Sequence, residues 1–243
     1  MIIENASKMS QHFKKIFKDE VYKAIDEHQE IFTPEVMKKF KIYSLTSASI
    51  FANKLLLGKR HTVRYGPNQI NDAFDKFLER DLCVPFRVMV NFGPDENGRV
   101  KIYQLLLIIN IDELTYGILS NIYRLDTYME KIKYDARHEV GHLIDYLINM
   151  NGCPFDDVVQ KDIEEDRLKD EYYKWKINEV NNFDENGSNE DWMKLQKEIN
   201  KRYFRLPAEE RADLYGGVDR QKYFEMLEST VRNSPTIRIE LLG

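Results

Sequence analysis

Apolar positions along the chain change their period twice. At the start they are spaced as on a helix: Phe13, Ile16, Val21, Tyr22 and Ile25 follow one stripe among polar neighbours. The pattern predicts helices over 8–31 and 34–56. The second opens at Thr33-Pro34-Glu35, where proline takes a first-turn position that needs no N–H partner. A third amphipathic helix is expected over NQINDAFDKFLERDL, 68–82, with Ile70, Phe74, Phe77 and Leu78 on one side. The period then becomes strand-like. VPFRVMVNFG (84–93) and RVKIYQLLLIINI (99–111) are rich in Val, Ile, Tyr and Phe and flank the turn residues PDENG. Two such runs around a Pro/Asp/Asn/Gly turn predict an antiparallel hairpin.

Helical periodicity returns after the hairpin. Thr127-x-x-Glu130 has the form of a capping box, and the helix is expected to run to Met150. Asn151-Gly152 followed by Pro154 supplies its stop. Residues 156–180 form a highly charged helix with Glu165/Lys169 and Asp170/Lys174 at i,i+4 spacing. FDENGSNED, 183–191, is a polar linker. Helices over 190–203, 207–215 and 219–232 and a late strand at 236–242 complete the pattern. The expected fold is α+β, mostly helical, with a small antiparallel or mixed sheet. An N-terminal helical region, 1–66, is readable as a subdomain, docking element or inhibitory segment. It precedes a main domain, 67–243, with a charged helical insert at about 156–200.

Composition narrows the function. Acidic and basic residues nearly cancel to a net charge of -5 in 243 residues, which argues against a dedicated nucleic-acid binder with a clustered basic face. The two cysteines, Cys83 and Cys153, are too few for a disulfide framework and form no CxxC pair. The N-terminus lacks the apolar core and cleavage site of a secretory signal. LLLIINI at 105–111, the longest apolar run, is too short to span a bilayer. A cytoplasmic protein, or one delivered elsewhere by another protein, is expected.

The chemistry concentrates in RHEVGHLID, 137–145. On a helix, His138 and His142 lie one above the other on one face, so both imidazoles can converge on one metal ion. Glu139 is turned about 100° away, a poor ligand but able to reach a metal-bound water. Asp145 returns to the histidine face and is a candidate acceptor for a ligand histidine's second N–H. The flanking Val140, Leu143, Ile144, Leu147 and Ile148 place the motif inside the protein, where unsatisfied polar groups are costly. Lys131, Lys133 and Arg137 are expected to face water. His12, His28 and His61 have no partners at ligand spacing.

A catalytic zinc takes a third protein ligand. Metzincin spacing is ruled out, because Asp145 and Ile148 occupy the positions where that pattern needs glycine and histidine. PAEERADLYGG, 207–217, offers Glu209, Glu210 and Asp213. HEVGH followed by Asp145 and the later Glu209-x-x-Ala212-Asp213 resembles the glutamate zincins, in particular the protease domain of anthrax lethal factor and its relatives. The resemblance covers about 131–220. It implies that Glu209 is the third ligand, that Asp213 braces a ligand histidine, and that a tyrosine upstream of the glutamate stabilises the oxyanion. Tyr203 is the candidate for that role, with Tyr215 behind it. Two departures stand out: the long gap from His142 to Glu209, and Arg211 where the pattern is apolar.

The expected function is a zinc-dependent endopeptidase acting on a protein or peptide, with Glu139 as general base. Residues 99–111 are a candidate edge strand for peptide addition, or else a fully buried strand. The 156–200 region is a lid or a solvated helical pair. The competing expectation is an inactive zincin fold with a structural or interaction role.

Overall fold

A computed structural model describes residues 2–44, 86–109, 125–183 and 188–231. The expected helix at 68–82, the strand at 236–242, Cys83 and the middle of the 183–191 linker lie outside these residues. In chain order the elements are α1 (Ile2–Asp26), α2 (Pro34–Lys39), β1 (Phe40–Ser44), β2 (Phe86–Pro94) and β3 (Val100–Ile109). They continue as α3 (Leu125–Asn149), α4 (Phe155–Asn181), α5 (Asn189–Tyr203), α6 (Pro207–Gly216) and α7 (Arg220–Val231). Helix predominates, and the strands form one small mixed sheet.

The expected hairpin forms: β2 and β3 pair antiparallel, with a bulge at Asn91/Phe92. Two other expectations are corrected. The helix from Pro34 ends at Lys39, and Phe40–Ser44 is a strand that pairs parallel with β3, Phe40 opposite Leu105. Phe40 and Ile42 alternate with polar Lys41, a two-residue period that overrides the helical start at Thr33. The second concerns 99–111, where the edge alternative gives way and the buried-strand alternative holds. With strand order β1-β3-β2, β3 is central rather than an edge. Leu105 through Ile109 are all buried, and a strand covered on both faces reads as a continuous apolar run.

One hydrophobic cluster holds these layers together. Phe13, Phe17 and Val21 of α1, Leu105, Leu107 and Ile109 of β3, and Ile132, Ala136, Val140 and Leu143 of α3 all belong to it. Phe17 stacks on Phe86 of β2, with centroids 3.8 Å apart. The described part of the N-terminal region therefore shares the core of the motif helix. Arg137, expected to face water, instead joins the two: it donates to Glu20 on α1 at 2.7 Å and to Glu27, just past the end of α1, at 2.8 and 2.9 Å. Lys131 is also drawn in, 2.5 Å from Asp135 with only 14% of its side chain exposed. Lys133 stays exposed, paired with Glu130.

The stop after α3 works as read, and it also docks the helix. Gly152 takes φ 79°, a conformation glycine adopts without cost. Its N–H donates to the Val100 carbonyl at 2.8 Å, and the Val100 N–H donates to the Cys153 carbonyl at 2.8 Å. The end of the motif helix is thus tied to the start of β3. The expected capping box is corrected, since α3 already begins at Leu125 and Thr127 lies inside it.

Candidate metal centre

Two glycines decide how closely α3 and α6 approach. A Cβ on Gly141 would lie 1.8 Å from the Ala212 carbonyl oxygen, and one on Gly216 would lie 2.2 Å from the Arg137 carbonyl oxygen. Both distances are far inside van der Waals contact, so the two backbones touch only because these positions lack side chains. Gly141 sits between His138 and His142, and Ala212 is one turn beyond Glu209. The crossing therefore sets the glutamate directly against the imidazole pair.

The geometry is compact. Glu209 Oε2 is 3.0 Å from His138 Nε2 and 3.5 Å from His142 Nε2. One donor atom from each residue falls within 4.8 Å of the others, an arrangement that could hold a metal ion. Glu209 is only 2% exposed. Burial opposes its charge, but hydrogen bonds from His138 and His142 and the charge of Lys169 hold its carboxyl well below the usual range. For His138, burial disfavours the cation, yet hydrogen bonds to Asp213 and Glu209 prevail and push it up to about 10. Two imidazole nitrogens and a carboxylate are the donor set of a three-ligand zinc site. The residues fit a divalent cation.

The neighbouring acids separate by role. Glu210, the alternative register, points outward with 66% of its side chain exposed. Asp213 is not with the ligating atoms: its Oδ1 is 2.6 Å from His138 Nδ1, on the far side of the ring. Asp213 is held in turn by Arg220, whose Nε donates to Oδ2 at 2.7 Å. Gly217, at φ 63°, ends α6 in the left-handed conformation, and the reversal brings Arg220 back onto Asp213. Asp145, expected as a possible histidine brace, instead accepts from Asn149 at 2.6 Å and Arg211 Nε at 2.8 Å. Arg211 continues to Glu165 on α4 at 2.8 and 3.0 Å. Its departure from the apolar pattern thus has a structural use, a polar tie among α3, α4 and α6.

Glu139 is partly covered beside the cluster. Burial raises its pKa, partly offset by attraction to His142 and His138. Tyr203 ends α5 at the same place: burial raises its pKa well above the usual phenol value, helped by the charge of Glu209 and a hydrogen bond to it. Tyr215 lies elsewhere, its hydroxyl accepting from Asn149 at 3.1 Å. The aromatic surround includes Phe204, edge-on to His138 at 6.3 Å, and Tyr172, 5.6 Å from Tyr203.

Four participants escaped sequence reasoning. Gly141 and Gly216 carried a usable signal, since glycine inside a helix costs about 1 kcal/mol relative to alanine and needs a packing reason. Lys169 and Arg220 carried none. Lys169 was expected to pair with Glu165 along α4; instead its Nζ lies 3.5 Å from Glu209 Oε1, while Glu165 turns to Arg211.

Replacing the brace should weaken the site without emptying it. Asp213→Ala removes the acceptor that fixes the His138 tautomer and leaves half-buried Arg220 with only the more distant Glu210, 3.8 Å away, as counter-charge. A loss of roughly 10–100-fold in metal affinity is expected, read by competition with a chromophoric chelator. Unchanged affinity would remove Asp213 from the metal centre. No family model, characterised protein or solved structure matches the chain, so the chemistry of the site rests on its own atoms.

Proposed function

We propose that the protein is a zinc-dependent endopeptidase, with His138, His142 and Glu209 as the metal ligands. The observation that carries this is the three-donor cluster, its glutamate buried and its histidines half-buried, with an unliganding carboxylate, Glu139, beside it. Structural zinc sites are usually closed by four protein ligands, often cysteines. Among the described residues only three donors converge, and Cys153 is free and outside the cluster.

When bound, a zinc ion would polarise a scissile carbonyl and lower the pKa of a water towards 7. The residues do the rest. Glu139 takes the water's proton and passes it to the departing amine; its burial lifts the carboxyl towards the range where both transfers are feasible. Asp213 orients His138 through Nδ1 and leaves Nε2 turned to the cluster. The Tyr203 hydroxyl, next to Glu209, is placed to donate to the oxyanion as charge develops. β2 replaces β3 as the candidate peptide-binding strand. It is an outer strand of the sheet among the described residues and the one that packs most against α3. An extended peptide would add along its edge by main-chain hydrogen bonds.

The test is hydrolysis of a mixed peptide library by the purified chain, with a chelator arm and a zinc-restored arm. Cleavage that stops with the chelator and returns with zinc supports the proposal. Zinc bound at one per chain with no cleavage of any peptide would favour the non-catalytic zincin instead. Nothing in the described residues is a helix long and apolar enough to cross a membrane.

A further inference from the structure

Lys169 has no place in the hydrolytic scheme, yet it reaches the metal glutamate from a different helix. Its Nζ is 3.5 Å from Glu209 Oε1, and its side chain is 37% exposed while that of Glu209 is 3% exposed. The Lys169 side chain thus runs from solvent to the buried carboxylate, at the mouth of the site. Arg87 on β2, the outer strand beside the motif helix, is near enough for its charge to act on Lys169. Tyr173 and Tyr146 are also within electrostatic reach of Lys169.

The charge balance changes once a cation is bound. Glu209 then serves the metal, and Lys169 loses the counter-ion that justified its position. The opposing charges at the mouth are Glu209 and Glu139. Together they fall short of the divalent ion and Lys169. Asp213 does not make up the difference, since Arg220 already neutralises it. A partly desolvated site with excess positive charge is completed by an anion. A substrate carboxylate is the group that arrives with the peptide.

Resting on the peptidase reading of this same site, we infer that Lys169 binds a substrate carboxylate adjacent to the scissile bond. The favoured substrates are therefore acidic peptides. That carboxylate belongs either to an Asp or Glu side chain or to the free C-terminus of the peptide.

Binding separates this inference from turnover. The full chain carrying Glu139→Gln is loaded with zinc and titrated with one short peptide in several versions. Asp, Ala or Lys stands at the positions flanking the scissile bond, and each version is prepared as the free acid and as the C-terminal amide. The Asp peptide is expected to bind roughly tenfold tighter than the Ala peptide, with the Lys peptide weakest, as one charge-assisted contact implies. Adding Lys169→Met should bring the Asp and Ala peptides level, and Lys169→Arg should keep the preference. Preference for Asp in the amides assigns the carboxylate to a side chain; preference only in the free acids assigns it to the C-terminus. Equal binding of Asp and Ala peptides, no binding of any, or a preference that survives Lys169→Met overturns the inference. Acidic-peptide binding with no cleavage by the wild-type chain would instead defeat the peptidase reading alone. Zinc content and thermal melting of the Lys169 variants guard against a folding defect. Lys169 is only half-buried on α4 and is not among the three metal-donor residues, so both are expected to stay near the parental values.

Discussion

Glu139→Gln is expected to keep its metal and lose hydrolysis by roughly 10²–10⁴-fold, the usual contribution of a positioned acid–base group. The expectation follows from where the side chain sits. It leaves the motif helix one residue after His138, so it lies beside the imidazoles rather than among the ligating atoms. Burial raises its pKa while His142 and His138 pull it back. The proposed role asks this carboxylate to accept a proton and later return it. Glutamine keeps the volume and the hydrogen-bonding shape but cannot accept the proton. The proposed ligands His138, His142 and Glu209 are untouched, so zinc per chain should equal that of the wild type. The rate is measured on whichever library peptide the wild type cleaves fastest. An undiminished rate would remove Glu139 as the base. Loss of zinc together with activity would mean that Glu139 helps to hold the metal.

The second large effect concerns a residue with no chemistry of its own. Gly141→Ala gains about 1 kcal/mol in helix propensity, and on an isolated helix it would stabilise. Here the added methyl would meet the Ala212 carbonyl at 1.8 Å. Backbone, not a flexible side-chain end, must yield, so α3 and α6 have to separate. Overpacking of this kind costs about 1–3 kcal/mol or more and outweighs the propensity gain. A Tm drop of roughly 2–10 °C is expected for a chain of this size. Separation also withdraws Glu209 from the imidazoles, so metal affinity should fall at least about tenfold, since a small displacement of one ligand costs more than 1.4 kcal/mol. A higher Tm with unchanged affinity would show that the helices do not meet through this glycine.

What could be read from the chain, and what could not, divides along a physical line. His138 and His142 were legible because their relation is local: four residues on one helix fix their geometry. Glu209 came from the resemblance rather than from periodicity, and Glu210 and Asp213 stayed open as alternatives. The structure separates the three by burial and direction, with Glu209 inward, Glu210 in solvent and Asp213 behind His138. Contacts between elements were not legible. Glu165 and Lys169 have ideal spacing for an intrahelical pair, but α6 offers each a less solvated partner, Arg211 and Glu209. A buried counter-charge prevails over a surface pair worth only about 0.3–0.5 kcal/mol. Arg137 likewise turned to Glu20 on α1 and Glu27 just past it, which no local rule connects with it.

The sheet gives the same lesson. The turn residues PDENG announce the hairpin, because a reversal has its own residue chemistry. The place of β3 in the sheet depends on β1, five residues whose short apolar–polar alternation follows directly on a good helix start. Reading Phe40–Ser44 as helix also left β3 open as an edge: without β1, the apolar run Leu105–Ile109 has an unpaired side.

The central claim is that His138, His142 and Glu209 together hold one divalent cation. It is tested most directly by zinc analysis of the purified chain beside Glu209→Ala and Glu210→Ala, each confirmed folded by circular dichroism. One zinc per chain in the wild type and in Glu210→Ala, with little or none in Glu209→Ala, is the predicted result. A folded wild-type chain that binds no divalent metal, or a Glu209→Ala protein that retains it in full, would contradict the account.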